Sequence, residues 1–274
     1  MKLRAAATGA RRDAQPARVS AAREPHLSID PAQLRRAGFM PEAGMEGQIA
    51  ACFQQIKRPL LARAAAASGP DAAALRVIMV SSALPGDGKT FTAINLASSI
   101  ARERDLSVLL VDADVARPRA SAAYGVAAVA GIMEALQDES VDVDALVLTT
   151  SVPGLSILPA GQPMENAAEM LASGRMQEIV RRLLSSDSQR IVVLDSPPLL
   201  VSAAARILTG YAGQVVLVAR SLVTPRQAML DALELVGAEK CTGLVLNDSR
   251  AASSTGRYGY GEYGDSAVTG ERNP

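Results

Sequence analysis

Residues 75–100 read LRVIMVSSALPGDGKTFTAINLASSI. The first eight residues form an apolar, β-branched run that suits a strand buried on both faces. A turn follows at residues 83–88, Ala-Leu-Pro-Gly-Asp-Gly, and Lys89-Thr90 opens a helical stretch. Strand, glycine-containing loop, Lys-Thr and helix make the arrangement of a phosphate-binding loop. Its glycines let successive N–H groups converge on one anion, and the helix N-terminus adds partial positive charge. Lys89 is the residue to reach the β and γ phosphates, and the Thr90 hydroxyl suits a Mg²⁺ ion. The strict pattern has Gly where this chain has Ala83, and a plain Gly-Pro turn before a helix would read alike locally.

Two further stretches decide between these readings. Residues 107–118, SVLLVDADVARP, bring four aliphatic residues up to Asp112, with Asp114 two places on. Residues 190–200, RIVVLDSPPLL, repeat the design with Asp195. In a parallel sheet with helices on both faces, ligands sit at the carboxyl ends of the strands. The three groups therefore emerge at one edge, as a Mg-nucleotide site requires. Thr90, Asp114 and Asp195 are the expected metal-holding residues.

Outward from this centre, strands and helices alternate. Helices are expected over residues 46–67, with Pro59 kinking or dividing the first, and over 131–137, 166–184, 202–209 and 224–236. Thr224 reads as the cap of the last, with Pro225 in its first turn. Residues 144–150 read as an apolar segment. Strands are expected at 106–111, 155–159, 190–195, 214–219 and 242–246. The fold class is α/β, a doubly wound, mostly parallel sheet of the P-loop NTPase type shared by MinD- and ParA-like proteins. Four regions result: a disordered tail over 1–25, an N-terminal segment and helix over 26–74, the P-loop domain over 75–248, and a flexible tail over 249–274.

Composition narrows the classes. The chain has 274 residues with 28 basic and 28 acidic side chains, so nothing global points to nucleic acid. It has one histidine, His26, and two distant cysteines, Cys52 and Cys241, which argues against a His-rich metal site or a disulfide framework. No apolar run approaches the roughly 18–20 residues of a membrane span. A soluble, cytoplasmic protein is expected. The Ala- and Arg-rich start reads as a solvated tail, or as weak contact with anionic lipid or polysaccharide machinery.

PGDGKT, VLLVDAD and VVLDSPP together resemble the bacterial tyrosine kinases of capsule and exopolysaccharide synthesis, nearest to the autokinases of exosortase-type loci. The resemblance covers about residues 27–263. It implies ATP and Mg²⁺ as cofactors, held by Pro85, Gly86, Asp87, Gly88, Lys89, Thr90 and Phe91. It implies Lys89, Asp112 and Asp114 as catalytic residues, with Asp112 as the proton acceptor. In related nucleotide-binding proteins an Asn after the last strand contacts adenine, which makes Asn247 either that contact or a turn cap. The resembled kinases end in a tyrosine cluster that they phosphorylate. Here three of five tyrosines, Tyr258, Tyr260 and Tyr263, stand in a Gly-rich tail, which otherwise reads as a low-complexity linker.

The resemblance also implies partners: a membrane chain-length protein as activator, further copies of the chain, and a cognate tyrosine phosphatase. It places the protein at the inner membrane through that activator. The family's Glu-x-x-Arg-x-x-Arg assembly pattern falls on Ala51, Gln54 and Lys57, with Arg58 as a substitute contact, and the family's Arg after the second Asp is one place late, at Arg117. Two other readings stand beside the kinase. A positioning ATPase would share the sheet and the loop. Many of those have a lysine near the start of the loop, absent from Ser82-Ala83-Leu84-Pro85, and some end in a basic amphipathic helix rather than a Gly/Tyr tail. A nucleotide-binding assembly subunit without catalysis is the third.

Overall fold

A computed structural model of the protein describes residues 26–69 and 72–249. The expected tail over 1–25 and the tyrosines Tyr258, Tyr260 and Tyr263 lie outside the described residues.

Eight strands form a single sheet: β1 (His26–Leu27), β2 (Val77–Ser82), β3 (Ser107–Asp112), β4 (Leu148–Thr150), β5 (Leu155–Leu158), β6 (Arg190–Asp195), β7 (Gln214–Arg220) and β8 (Cys241–Asn247). Their order is β1-β4-β5-β3-β6-β2-β7-β8. All neighbours run parallel except β4 and β5. Every residue of β2 is buried, as its unbroken apolar run requires of a central strand covered on both faces.

Side chains alternate across the sheet, so β2 feeds two cores. Val77 and Met79 face one layer, built on α5 (Ile132–Gln137), α6 (Ala167–Leu171), α7 (Gly174–Ser185), α8 (Ala203–Leu208) and α9 (Arg226–Val236). Ile78 and Val80 face the other, built on α1 (Pro31–Arg36), α2 (Glu46–Ala66), α3 (Lys89–Ile100) and α4 (Arg119–Ala123). We number these helices in chain order.

Four local expectations need correction. The segment over 166–184 is two helices, α6 and α7, broken at Ala172 and Ser173. Pro59 does not divide α2, which runs as one helix. The hydrogen bond that proline removes is outweighed by burying Phe53 and Leu60 on either side of it. Thr224 is not a helix cap, because α9 starts at Arg226 with Pro225 before it, and the Thr224 hydroxyl is used elsewhere. Lys57, which falls in the family's assembly pattern, is not on the surface. It is 1% exposed, and its ammonium donates to the Ser99 carbonyl at 2.7 Å and pairs with Glu103. It holds α2 against α3, so it cannot supply an assembly contact.

Candidate active site

The turn between β2 and α3 shows why Ala83 replaces glycine without harm. Gly86 and Gly88 carry φ values of 88° and 101°, and Ala83 has no positive φ. Only the two glycines need the left-handed region. Gly88 is the cap residue of α3, so Lys89 and Thr90 form the first turn of the helix, where unpaired N–H groups point outward. A cavity of about 770 Å³ opens above this turn, lined by Pro85, Gly86, Gly88, Lys89, Thr90 and Phe91. Asp114 and Arg117 just after β3, Arg220 at the end of β7, and Asn247 and Asp248 at the end of β8 also line it.

The three strand-end carboxylates meet here as the parallel sheet demands. Asp112 and Asp195 pair in register across β3 and β6. Lys89 Nζ lies 3.0 Å from Asp114 Oδ2. Asp112 Oδ2 accepts from the Ser121 N–H and the Ser121 hydroxyl, both at 2.7 Å. Asp112 and Asp195 are wholly buried and do not line the cavity, whereas Asp114 does.

Burial raises the proton affinity of Asp112, and the two Ser121 hydrogen bonds oppose this. Burial also raises Asp195, with the neighbouring Asp112 charge adding to the effect. Four buried oxygens here have no hydrogen-bond partner: Thr90 Oγ1, Asp112 Oδ1 and both carboxylate oxygens of Asp195. Two buried carboxyls and a hydroxyl whose oxygens lack partners suit a hard divalent cation such as Mg²⁺, whose charge would also favour their ionised form. Among the described residues no three His, Cys, Asp or Glu side chains could hold a metal by themselves.

Some site residues do more, or other, than their motif suggests. The Asp87 carboxylate does not face the cavity; it accepts from the Leu84 N–H at 3.1 Å and from the Thr224 hydroxyl at 2.6 Å. Asn247 lines the cavity and also donates from Nδ2 to the Asp87 carbonyl at 3.0 Å, which closes β8 over the loop. Ser121 and Arg220 escaped the sequence reading, in which Thr224 is only a helix cap. No local pattern marks these roles, since their partners lie from 9 to 137 positions away.

Comparison with known proteins agrees with this geometry. A family model described as an AAA domain matches residues 75–229, more than half of the chain. Tyrosine-protein kinase YwqD of Bacillus subtilis is 31% identical over 188 residues, covering 68% of this chain and 77% of that one. Tyrosine-protein kinase wzc of Salmonella typhimurium is 29% identical over 190 residues, covering 68% of this chain but only 26% of that protein. The chain thus spans most of YwqD and about a quarter of wzc. Among solved structures, the VpsO kinase domain superposes with a TM-score of 0.58 at 27% identity, over 72% of this chain and 99% of that one. The cell division ATPase MinD of Pyrococcus furiosus, at 20% identity and a TM-score of 0.52 over 66% of this chain and 78% of that one, shares the fold. With its loop, its strand-end carboxylates and these relatives, this chain belongs to the bacterial protein-tyrosine kinases, P-loop enzymes that bind nucleotide.

Proposed function

We propose that the protein is an ATP-dependent tyrosine autokinase. It phosphorylates Tyr258, Tyr260 and Tyr263 in trans and so regulates exopolysaccharide polymerisation or export. The observation that carries the reading is where the tyrosines stand. Of the five, Tyr124 is buried at 7% exposure and Tyr211 spends its hydroxyl on the Leu171 carbonyl at 2.8 Å. The other three follow β8, whose end forms the wall of the cavity.

The chemistry assigned to this chain's residues is electrostatic and positional. The N–H groups of residues 86–90 and the Lys89 ammonium would hold the β and γ phosphates. Thr90, Asp114 and Asp195 would hold Mg²⁺, which when bound neutralises charge on those phosphates. A tyrosine hydroxyl has an ordinary pKa of about 10 and must lose its proton to attack. Two carboxylates compete to accept it. Asp114 lines the cavity but is paired with Lys89. The family resemblance assigns the proton to Asp112, whose proton affinity burial raises; because Asp112 does not itself line the cavity, the proton would have to reach it through a bridging group.

The tail's tether would raise the local concentration of tyrosines at a neighbouring copy's site. Three phosphotyrosines would add about −5 to −6 charge at pH 7, which opposes redocking and loosens an assembly of copies. A phosphatase would reset the cycle. Among the described residues no helix is long and apolar enough to cross a membrane. In this reading a membrane chain-length protein serves as activator and holds the kinase at the inner membrane.

The test is incubation of the full chain with Mg-ATP, with and without its activator, followed by mass spectrometry. Phosphate on the three tail tyrosines is expected, and none in Lys89→Met. Tagged Lys89→Met mixed with unaltered protein should acquire phosphate, as a trans reaction requires. Phosphotyrosine in Lys89→Met alone would overturn the reading. ATP turnover without tyrosine phosphate would favour the positioning ATPase instead.

A further inference from the structure

A carboxylate inside a phosphate-binding loop opposes the anion that the loop must hold. Asp87 avoids this by turning away. It is 3% exposed, and both its oxygens are taken, one by the Leu84 N–H and one by the Thr224 hydroxyl. The Thr224 oxygen in turn accepts from the Arg220 backbone N–H at 2.7 Å. A hydroxyl has one proton, so accepting from Arg220 leaves that proton for Asp87 and fixes the direction of the chain. The side chain of the same residue then reaches the C-terminal segment: Arg220 Nε and Nη2 both donate to Asp248 Oδ2 at 3.1 Å.

Asp248 is where the chain leaves β8 toward the tyrosines, and it is held at a φ of 56°. Its neighbour Asn247 returns to the loop by donating to the Asp87 carbonyl. Two routes of hydrogen bonds therefore join the root of the C-terminal segment to one buried residue of the nucleotide loop.

We propose that Thr224 and Arg220 are positioning residues that lock the nucleotide loop to the root of the C-terminal segment, coupling nucleotide affinity to Asp248. Without the Thr224 hydroxyl, the Asp87 carboxylate loses a charge-assisted donor. Its replacement donors are the loop's own N–H groups, the same ones a phosphate needs. Coupling of this kind is reciprocal: whatever disturbs Asp248 weakens nucleotide binding, and nucleotide binding steadies Asp248. The inference rests only on nucleotide binding at residues 86–90, which the kinase and positioning-ATPase readings share.

The experiment is a double-mutant cycle on the full chain, with a non-hydrolysable ATP analogue and Mg²⁺ titrated by calorimetry. Thr224→Val should bind about tenfold more weakly, the loss expected of one hydrogen bond to a charged group. Thr224→Ser, which keeps the hydroxyl, should stay within about twofold of the unaltered protein. Asp248→Asn should bind about threefold more weakly, the scale of a half-exposed ion pair. The double variant Thr224→Val/Asp248→Asn should bind no more weakly than Thr224→Val alone, since both act through one chain. Additive losses would mean that Asp248 meets the nucleotide by itself and would overturn the proposal. So would unaltered affinity in Asp248→Asn, a change at an exposed carboxylate that the fold tolerates even if Thr224→Val does not.

Discussion

The Lys89 ammonium and the Asp114 carboxylate stand 3.0 Å apart with side-chain exposures of 11% and 5%. The lysine that should meet phosphate is thus already paired with a residue assigned to the metal. A buried pair adds little net stability, but losing one partner strands the other charge at a cost of about 3–5 kcal/mol.

Lys89→Met should therefore be destabilised by about 3 kcal/mol in urea unfolding, on top of its loss of phosphoryl transfer. Adding Asp114→Asn to it should recover most of that stability while leaving the protein inactive. A double variant less stable than Lys89→Met would show that the pair is not what the fold depends on.

The two loop glycines should respond unequally to alanine. At Gly86 an added methyl group meets nothing within 4 Å, so the change carries only the strain of φ 88°, about 1–2 kcal/mol. At Gly88 the methyl would lie 2.0 Å from Asn247 Nδ2. Gly88→Ala must push Asn247 off the loop and should lose more nucleotide binding than Gly86→Ala. Equal affinities by calorimetry would refute this ordering.

Lys57 predicts a contrast between two substitutions. Lys57→Met keeps the buried stem volume and removes the charge, whereas Lys57→Ala also opens a cavity between α2 and α3. Alanine should cost about 2–3 kcal/mol and methionine clearly less, read as urea midpoints at unchanged slope.

Alkaline pH should expose Tyr124. Burial pushes its hydroxyl pKa well above the ordinary value of about 10. The folded chain keeps this proton after the unfolded chain has lost it. Its stabilising share is full below about pH 10 and falls as the pH rises further. Melting temperatures from pH 8 to 11 should decline more steeply for the unaltered protein than for Tyr124→Phe, and parallel slopes would contradict the assignment.

The sequence alone determined the strand–loop–helix over residues 75–100, the three carboxylates at strand ends and the alternating architecture around them. Those features rest on short-range physics. Apolar periodicity selects strand or helix within a few residues, and a parallel sheet gathers its strand ends whatever the details of packing. Tertiary structure decided the rest. Thr224 looked like a helix cap because its neighbours are Pro225 and a helix, yet its hydroxyl serves Asp87, 137 positions away. Lys57 aligned with an assembly pattern, yet the packing of α2 on α3 buries it against Ser99, 42 positions away. The break between α6 and α7 likewise interrupts a periodicity that reads as continuous. A polar side chain's partner is set by which distant backbone the fold brings within 3 Å, and no local pattern encodes that distance.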